Sequence, residues 1–264
     1  MPGILLFAHM PPAIEFRDVK VTTPQGRVLL DQISFEVEEG TTTALLGRSG
    51  SGKTTLLRTV NRMVEPTAGE VFVNGKSVRD CDLIELRRGI GYVIQETGLF
   101  PHITVERNIT VVPEISGVKK ADSRERCHEL LSGVGLDPSS FAQRFPHQLS
   151  GGQRQRVGLA RALAAEPPIL LMDEPFGALD PLTRAEIQDM LRDVLARFRK
   201  TVLLITHNLD EALYLASRIV LLDHVKLVTS VSVADFLTCS NPEVEEYVKA
   251  FRRGEREAEE EAQS

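Results

Sequence analysis

Four apolar runs define what this chain can fold into: TTTALLG, IGYVIQ, PILLMDE and TVLLITH, with amphipathic helical patterns separating the later ones. Strands that are apolar on both faces indicate a parallel sheet buried between layers of helices. The runs end at Gly47, at Gln95, at Asp173 and Glu174, and at His207. Because ligands bind at the carboxyl ends of strands in an open parallel sheet, we expect these ends to share one site.

Composition restricts the class of protein. The 264 residues are 42% hydrophobic and 26% charged, which suits one large α/β domain with a subdomain. The formal net charge of -6 provides no overall basic field, so we expect no nucleic-acid partner. No apolar run approaches the ~18 residues of a membrane span, and GILLFA lacks the basic flank of a secretion signal. These features predict a cytosolic chain.

The two ends of the chain differ from its middle. We expect residues 1–12 to be a flexible lead-in and residues 13–251 to form the main domain. A short strand pair is predicted after Asp223, followed by a helix near 242–251. Residues 252–264 are charged and almost without apolar side chains, which predicts a disordered tail.

Antiparallel strands and an inserted set of helices are expected in addition to the parallel sheet. AIEFRDVKV and ISFEVEEG alternate with a period of two, which indicates antiparallel strands at an edge. Between 96 and 165 the strand pattern lapses, which predicts an inserted helical subdomain. Its helices are expected near residues 104–110, 123–132 and 151–165.

The segment GRSGSGKT, residues 47–54, matches the phosphate-binding pattern G-x-x-x-x-G-K-[ST] between a predicted strand and a predicted helix. Its glycines let backbone N–H groups curl around phosphates, Lys53 can reach the terminal phosphates, and Thr54 offers a hydroxyl to Mg²⁺. A Gly-rich turn that only connects two elements would leave the lysine and threonine unexplained. The predicted nucleotide-binding residues here are Gly47, Arg48, Ser49, Gly50, Ser51, Gly52, Lys53, Thr54 and Thr55.

Polar residues at the other strand ends complete a candidate site. Asp173 follows the apolar ILLM and is predicted to bind Mg²⁺ together with Thr54 and Gln95. Glu174 is either a surface acid or a carboxylate that polarises an attacking water. His207 is either structural or a donor to a γ-phosphate. We predict catalytic roles for Glu174, His207 and Gln95, of which Gln95 has the weakest isolated pattern.

The stretch LSGGQRQRVGLARALA adds a second potential anion site. Ser150 and Gln153 fit a capping box, which predicts a helix that begins here. Gly151 and Gly152 leave the first-turn N–H groups unshielded, and open N–H groups at a helix N-terminus attract anions. The chain's own nucleotide already has a phosphate loop. The second site is therefore expected to serve the nucleotide of another monomer.

Over residues 13–251 the chain resembles the ATP-binding subunits of ABC transporters, since LSGGQRQR is similar to the signature motif of that family. The resemblance implies a RecA-like P-loop NTPase core with an antiparallel β-subdomain and a helical subdomain. It also implies a dimer that sandwiches two ATP molecules head to tail, in which Ser150–Gln153 contact the partner's γ-phosphate. Asp180, in GALD, is similar to the D-loop residue that crosses the interface, and Gln95 to the Q-loop residue that links the site to the membrane subunit.

A finer resemblance covers VNRMVEPTAGEVFVNGK, LRRGIGYVIQETGLFPHITVERNI and LMDEPFGALDPLTR. These segments are similar to type I importers, above all to the glycine betaine, carnitine and choline branch. The resemblance implies an ATP hydrolase that forms a homodimer on permease subunits at the cytoplasmic membrane face, with a substrate-binding protein as an indirect partner. Helix 104–110 would border the groove for a coupling helix. The alternatives are an ABC subunit for amino acids or lipids, and a non-transport ABC ATPase.

The resemblance also exposes a missing side chain. In this family an aromatic residue upstream of the phosphate loop stacks on adenine. Its place in FRDVKVTTPQGR falls at Thr23 or next to it, and no Tyr or Trp lies there. Because threonine offers no π-face, we expect phosphate and Mg²⁺ contacts to carry nearly all the affinity, and we expect GTP to compete well with ATP.

Overall fold

The computed structural model describes residues 11–94, 98–177 and 179–262, with side chains described through residue 253. The strands are β1 Ile14–Thr22, β2 Val28–Val37, β3 Thr42–Leu46, β4 Ala68–Val73, β5 Lys76–Ser77, β6 Ile90–Val93, β7 Ile169–Asp173, β8 Thr201–Ile205, β9 Arg218–Asp223 and β10 Lys226–Ser232. The helices are α1 Lys53–Val60, α2 Leu83–Arg88, α3 Val105–Ile115, α4 Lys120–Gly133, α5 Pro138–Phe141, α6 Gly151–Leu163, α7 Pro181–Phe198, α8 Leu209–Leu215, α9 Val233–Phe236 and α10 Pro242–Ala262. A 3-10 helix covers Pro146–Gln148.

The central sheet has the strand order β10-β9-β3-β8-β7-β6, and β3, β6, β7, β8 and β9 run parallel. The four apolar runs are the strands β3, β6, β7 and β8, as predicted. The prediction of a strand pair after Asp223 is wrong in part, because β9 ends at Asp223 and forms a further parallel strand beside β3. His224 and Val225 form the tight turn to β10 with positive φ angles, a conformation usually marked by Gly or Asn. The Gly or Asn residues that usually mark such a hairpin turn are therefore absent from the sequence at this point.

The antiparallel strands form a sheet of their own, with the order β2-β1-β4-β5. The sequence pattern suggested an edge of the main sheet, whereas the family resemblance implied a separate subdomain. The structure agrees with the subdomain. Its apolar face shares a core with α1 and one face of the central sheet, where Phe16 and Phe35 stack with ring centroids 4.6 Å apart.

The central sheet is covered on both faces because alternate side chains of its strands enter different cores. In β7, Ile169 and Leu171 pack toward α1 and the antiparallel sheet. Leu170 and Met172 pack toward the helices on the opposite face, and all four side chains are buried. This arrangement explains why β7 is apolar at consecutive positions. It also fixes the carboxyl end of the strand between the two layers.

The helices α3 to α6 occupy the range in which a helical subdomain was predicted. The helix expected at 104–110 is α3, which begins after the N-cap Thr104 and continues to Ile115. The helices expected at 123–132 and 151–165 are α4 and α6, each within a few residues of the predicted bounds. Their packed side chains belong to the same core as one face of the central sheet.

The last helix is longer than the sequence pattern suggested. The prediction of a disordered tail at 252–264 is wrong for residues 252–262, whose backbone is helical as part of α10. The reason is composition, because REAEEEA consists of residues with high intrinsic helix propensity. Within the described part of the chain, none of the helices combines the length and the apolar character needed to cross a bilayer.

Candidate active site

The loop between β3 and α1 encloses the ammonium group of Lys53. Its Nζ donates hydrogen bonds to the carbonyl oxygens of Gly47 at 2.8 Å and Arg48 at 3.0 Å. Gly52 has a φ of 100°, and a Cβ at this position would lie 2.6 Å from the carbonyl oxygen of Leu29. Only glycine therefore allows the loop to close against β2. Burial lowers the pKa of Lys53, whereas the charges of Glu174 and Asp173 oppose this shift.

A cavity of about 480 Å³ opens beside this loop. It brings the phosphate loop together with two predicted catalytic side chains, which come from the ends of β7 and β8. It also has a wall that the sequence analysis missed, contributed by the start of β2. The lining residues are Arg27, Leu29, Ser49, Gly50, Gly52, Lys53, Thr54, Thr55, Glu174 and His207.

Thr54 and Asp173 meet at the edge of this cavity, as predicted from the sequence. The Thr54 hydroxyl donates a hydrogen bond of 3.1 Å to Oδ1 of Asp173. Asp173 is only 9% exposed. Burial raises the pKa of its carboxyl group, and the hydrogen bond from Thr54 opposes this shift. A hydroxyl and a carboxylate form the oxygen donor set that Mg²⁺ prefers, so these residues fit that ion.

Glu174 and His207 face each other across the ends of two neighbouring strands. His207 Nδ1 lies 3.5 Å from Oε2 of Glu174, and the two side chains are 67% and 26% exposed. Glu174 has a φ of 47°, and its N–H donates to the carbonyl oxygen of Ile205 at 3.1 Å. The turn after β7 is thereby held against β8. The carboxylate is directed into the cavity with its backbone fixed.

A buried carboxylate that the sequence analysis missed supports the segment around His207. The hydroxyl of Thr206 donates to Oε2 of Glu211 at 2.5 Å, and Nε of Arg184 lies 3.8 Å from Oε1. Burial raises the pKa of Glu211, while the hydrogen bond from Thr206 and the charge of Arg184 oppose this shift. Glu211 therefore links the end of β8 to α7. The signal in sequence was slight, an Asn208 N-cap followed by an acid three residues later.

The predicted capping box at the start of α6 is confirmed. Ser150 Oγ accepts from the N–H of Gln153 at 3.2 Å, and Oε1 of Gln153 accepts from the N–H of Ser150 at 3.0 Å. A Cβ at Gly152 would lie 2.5 Å from Cγ2 of Thr183, so this glycine permits close packing on α7, whereas Gly151 faces open space. Within the described residues, Ser150–Gln153 are not part of the cavity lining.

The other predicted site residues have different positions. Asp180 is exposed and caps α7 by accepting from the N–H of Thr183 at 3.0 Å. Arg48 directs its side chain away from the loop, to Glu246 of α10 at 2.7 Å. Ser51 is buried at the base of the loop. Gln95 lies outside the described residues.

A family model described as ABC transporter matches residues 30–177. The chain belongs to the ABC transporter family. It is 48% identical over 208 residues to the osmoprotectant import ATP-binding protein OsmV of Salmonella typhimurium, an alignment that covers 79% of this chain and 54% of that protein. It is 43% identical over 243 residues to the choline transport ATP-binding protein OpuBA of Bacillus subtilis, covering 92% and 63%. The glycine betaine uptake system ATP-binding protein YehX of Escherichia coli is 46% identical over 225 residues, covering 85% and 72%. The chain thus spans less than two thirds of the first two relatives.

Solved structures of the family share the fold of this chain. The dimeric structure of MJ0796, a bacterial ABC transporter cassette, superposes with a TM-score of 0.75 at 33% identity, covering 83% of this chain and 98% of that one. A dimeric post-hydrolysis state of MJ0796 bound to ADP and Pi gives the same TM-score at 32% identity, with the same coverage. The predicted fold class, an ABC ATPase with an α/β core and an antiparallel subdomain, is confirmed.

Thr23, where the sequence lacks the expected aromatic residue, lies outside the cavity lining that the structure describes. Thr23 lies in the turn between β1 and β2, and among the described residues it does not belong to the cavity lining. Arg27 and Leu29 do. Neither was predicted, because the contact of β2 with the phosphate loop depends on the packing of two separate sheets.

Proposed function

We propose that this chain is the ATP-hydrolysing subunit of a membrane importer that takes up a quaternary ammonium osmoprotectant. One observation carries the proposal of ATP hydrolysis. The phosphate loop, the Thr54–Asp173 pair and the Glu174–His207 pair converge on one cavity. Such a site combines phosphate binding with a positioned base, which is the combination that phosphoryl transfer to water requires.

Each side chain has a defined task in this proposal. Lys53 moves from the carbonyls of its own loop to the terminal phosphates of ATP, and Thr54 and Asp173 would hold Mg²⁺. The bound ion would neutralise negative charge on the phosphates. Glu174 accepts a hydrogen bond from the attacking water and polarises it. His207 donates to the γ-phosphate, and its imidazole is oriented by the Glu174 carboxylate 3.5 Å away.

The complete site is proposed to need a second copy of the chain. Ser150–Gln153 are not in the cavity lining of the described residues, although the N–H groups of Gly151 and Gly152, which the capping box does not use, are suited to an anion. In a head-to-tail homodimer, this segment of one copy would face the phosphate loop of the other. We propose that Asp180 crosses the same interface and that Gln95 links the nucleotide to the membrane subunits. The dimeric MJ0796 structures support the formation of a dimer.

The permease subunits are proposed to dock beside α3. Phe100, Ile115 and Val118 are large apolar residues exposed before and after the body of this helix. These exposed side chains, at the two ends of the helix, are the apolar contacts that the proposal assigns to a protein partner. Docking would place the cassette at the cytoplasmic face of the membrane, with a substrate-binding protein as an indirect partner.

The solute is proposed from the relatives, whose names refer to osmoprotectant, choline and glycine betaine transport. The test is uptake of labelled glycine betaine, carnitine and choline by the reconstituted transporter with its own partners, with and without ATP. ATP-dependent uptake of one of these solutes is expected, and the same preparation carrying Glu174→Gln should not transport. Uptake of an amino acid or a lipid without any response to the three solutes would assign the chain to another ABC system. ATPase activity that no permease stimulates would indicate a non-transport ATPase.

A further inference from the structure

One wall of the nucleotide cavity comes from the hairpin between β1 and β2. Arg27 and Leu29 line this wall of the cavity that also contains the catalytic pair. The carbonyl oxygen of Leu29 is so near Gly52 that a Cβ there would lie 2.6 Å from it. The start of β2 is therefore pressed against the first turn of α1. Among the described lining residues, Arg27 and Leu29 are the two that belong neither to the phosphate loop nor to the catalytic pair, which leaves them to contact the base.

The backbone at Arg27 is held in place by a closed turn. The N–H of Thr23 donates to the carbonyl oxygen of Arg27 at 2.8 Å, and the N–H of Gly26 donates to the carbonyl oxygen of Thr23 at 2.9 Å. The N–H of Arg27 donates to Oγ1 of Thr23 at 3.2 Å. Thr23 thus stabilises the turn, and Arg27 rather than Thr23 lines the wall of the cavity.

The Arg27 side chain is exposed, and within the described residues it forms no ion pair or hydrogen bond. A guanidinium group is planar, permanently charged and weakly hydrated, and it stacks well on aromatic faces. Among the described residues, the cavity lining contains no Phe, Tyr or Trp side chain, and its one aromatic ring, the imidazole of His207, is assigned to the γ-phosphate. We propose that Arg27 stacks on the purine base of the bound nucleotide, with the Leu29 side chain as the adjoining apolar contact. The inference rests on nucleotide binding at the phosphate loop, as proposed above.

The main competitor is a phosphate-binding role for Arg27, since its charge could act on the phosphates instead of the base. The two roles differ in what they require of the ligand. A stacking residue contributes only when a base is present, whereas a phosphate-binding residue contributes equally to a ligand without one. ADP and inorganic pyrophosphate therefore separate them, and neither ligand can be hydrolysed at a γ-phosphate.

The test is calorimetric titration of the full chain with Mg-ADP and with Mg-pyrophosphate. The proteins are the parent, Arg27→Ala, Arg27→Tyr and the control Arg17→Ala, which removes an exposed arginine of β1 that lines another surface. Arg27→Ala is expected to weaken ADP binding about three- to tenfold and to leave pyrophosphate binding unchanged. Arg27→Tyr should restore ADP affinity because a phenol ring also stacks on a base. Arg17→Ala should match the parent with both ligands.

An equal loss of affinity for ADP and for pyrophosphate in Arg27→Ala would overturn the inference and make Arg27 a phosphate contact. Unchanged ADP affinity in Arg27→Ala would also overturn it. If the parent bound neither ligand, the proposed function itself would fail, which is a distinguishable result. Circular dichroism of each variant establishes that the fold is retained, and restored affinity in Arg27→Tyr excludes a loss caused by misfolding.

Discussion

Glu174→Gln is the substitution that most clearly separates catalysis from binding at this site. The amide has nearly the same shape as the carboxylate, but it has no charge and accepts a proton far less readily. The backbone at this position is already fixed by the hydrogen bond to Ile205, so the new side chain should remain in the cavity. A positioned general base contributes about 10²–10⁴ in rate. The expected loss in kcat corresponds to about 3–5 kcal/mol in the activation barrier.

The assay is steady-state phosphate release at saturating Mg-ATP, paired with equilibrium binding of ATP to the same protein. Glu65→Gln is the matched control, because Glu65 is an exposed acid that pairs with Arg62 away from the cavity. We expect parental ATP affinity and a loss of two to four orders of magnitude in rate for Glu174→Gln only. A rate within about threefold of the parent would refute the assignment of Glu174 as the base, because that deficit is far below a general-base contribution.

Three further predictions address selectivity, support and reactivity. The affinities for GTP and ATP, measured by competition, should agree within a few-fold, because stacking by Arg27 does not distinguish the edges of the two bases. A large preference for ATP would show that another group recognises adenine. Glu211→Ala should lower the free energy of unfolding by about 1–3 kcal/mol in a denaturant titration, because the buried hydroxyl of Thr206 loses its acceptor and Arg184 loses its ion-pair partner. An unchanged midpoint would contradict this support. Burial raises the pKa of Cys127 to about 12, so a thiol reagent at pH 8 should modify it only after denaturant is added, and rapid labelling of native protein would contradict its burial.

Much of the active site could be predicted because its motifs are local. The phosphate loop, Asp173, Glu174 and His207 each end an apolar strand, and parallel pairing of β3, β8 and β7 places those ends side by side. No long-range information beyond the sheet type was needed. The capping box at Ser150 was equally local, because both partners lie in one helical turn.

The residues that sequence reasoning missed depend on packing between distant segments. Leu29 reaches the cavity only because the antiparallel sheet packs on α1 at Gly52. Glu211 acquires its role from contacts with Thr206 and with α7. The strand β9 was missed because its turn uses His224 rather than glycine. In each case the deciding interaction is tertiary, and a one-dimensional pattern does not contain it.

The central claim is that two copies of the chain build each nucleotide site, one through Lys53 and the other through Ser150. Mixed dimers in the Glu174→Gln background test it directly, with Lys53→Ala and Ser150→Arg placed either on opposite copies or together on one copy. When the changes lie on opposite copies, one site keeps both intact halves. Isolated mixed dimers should then retain about one ATP each, because the binding contacts of only one site survive intact.

When both changes lie on the same copy, each site has one damaged half, and no ATP should be retained. The measurement is the ratio of retained nucleotide to protein after differently tagged copies are mixed with Mg-ATP and captured by both tags in sequence. Retention in the first arrangement and its absence in the second are the results that the two-copy site predicts. Retention in the second arrangement but not in the first would mean that Lys53 and Ser150 of a single copy serve the same nucleotide, which would contradict the account.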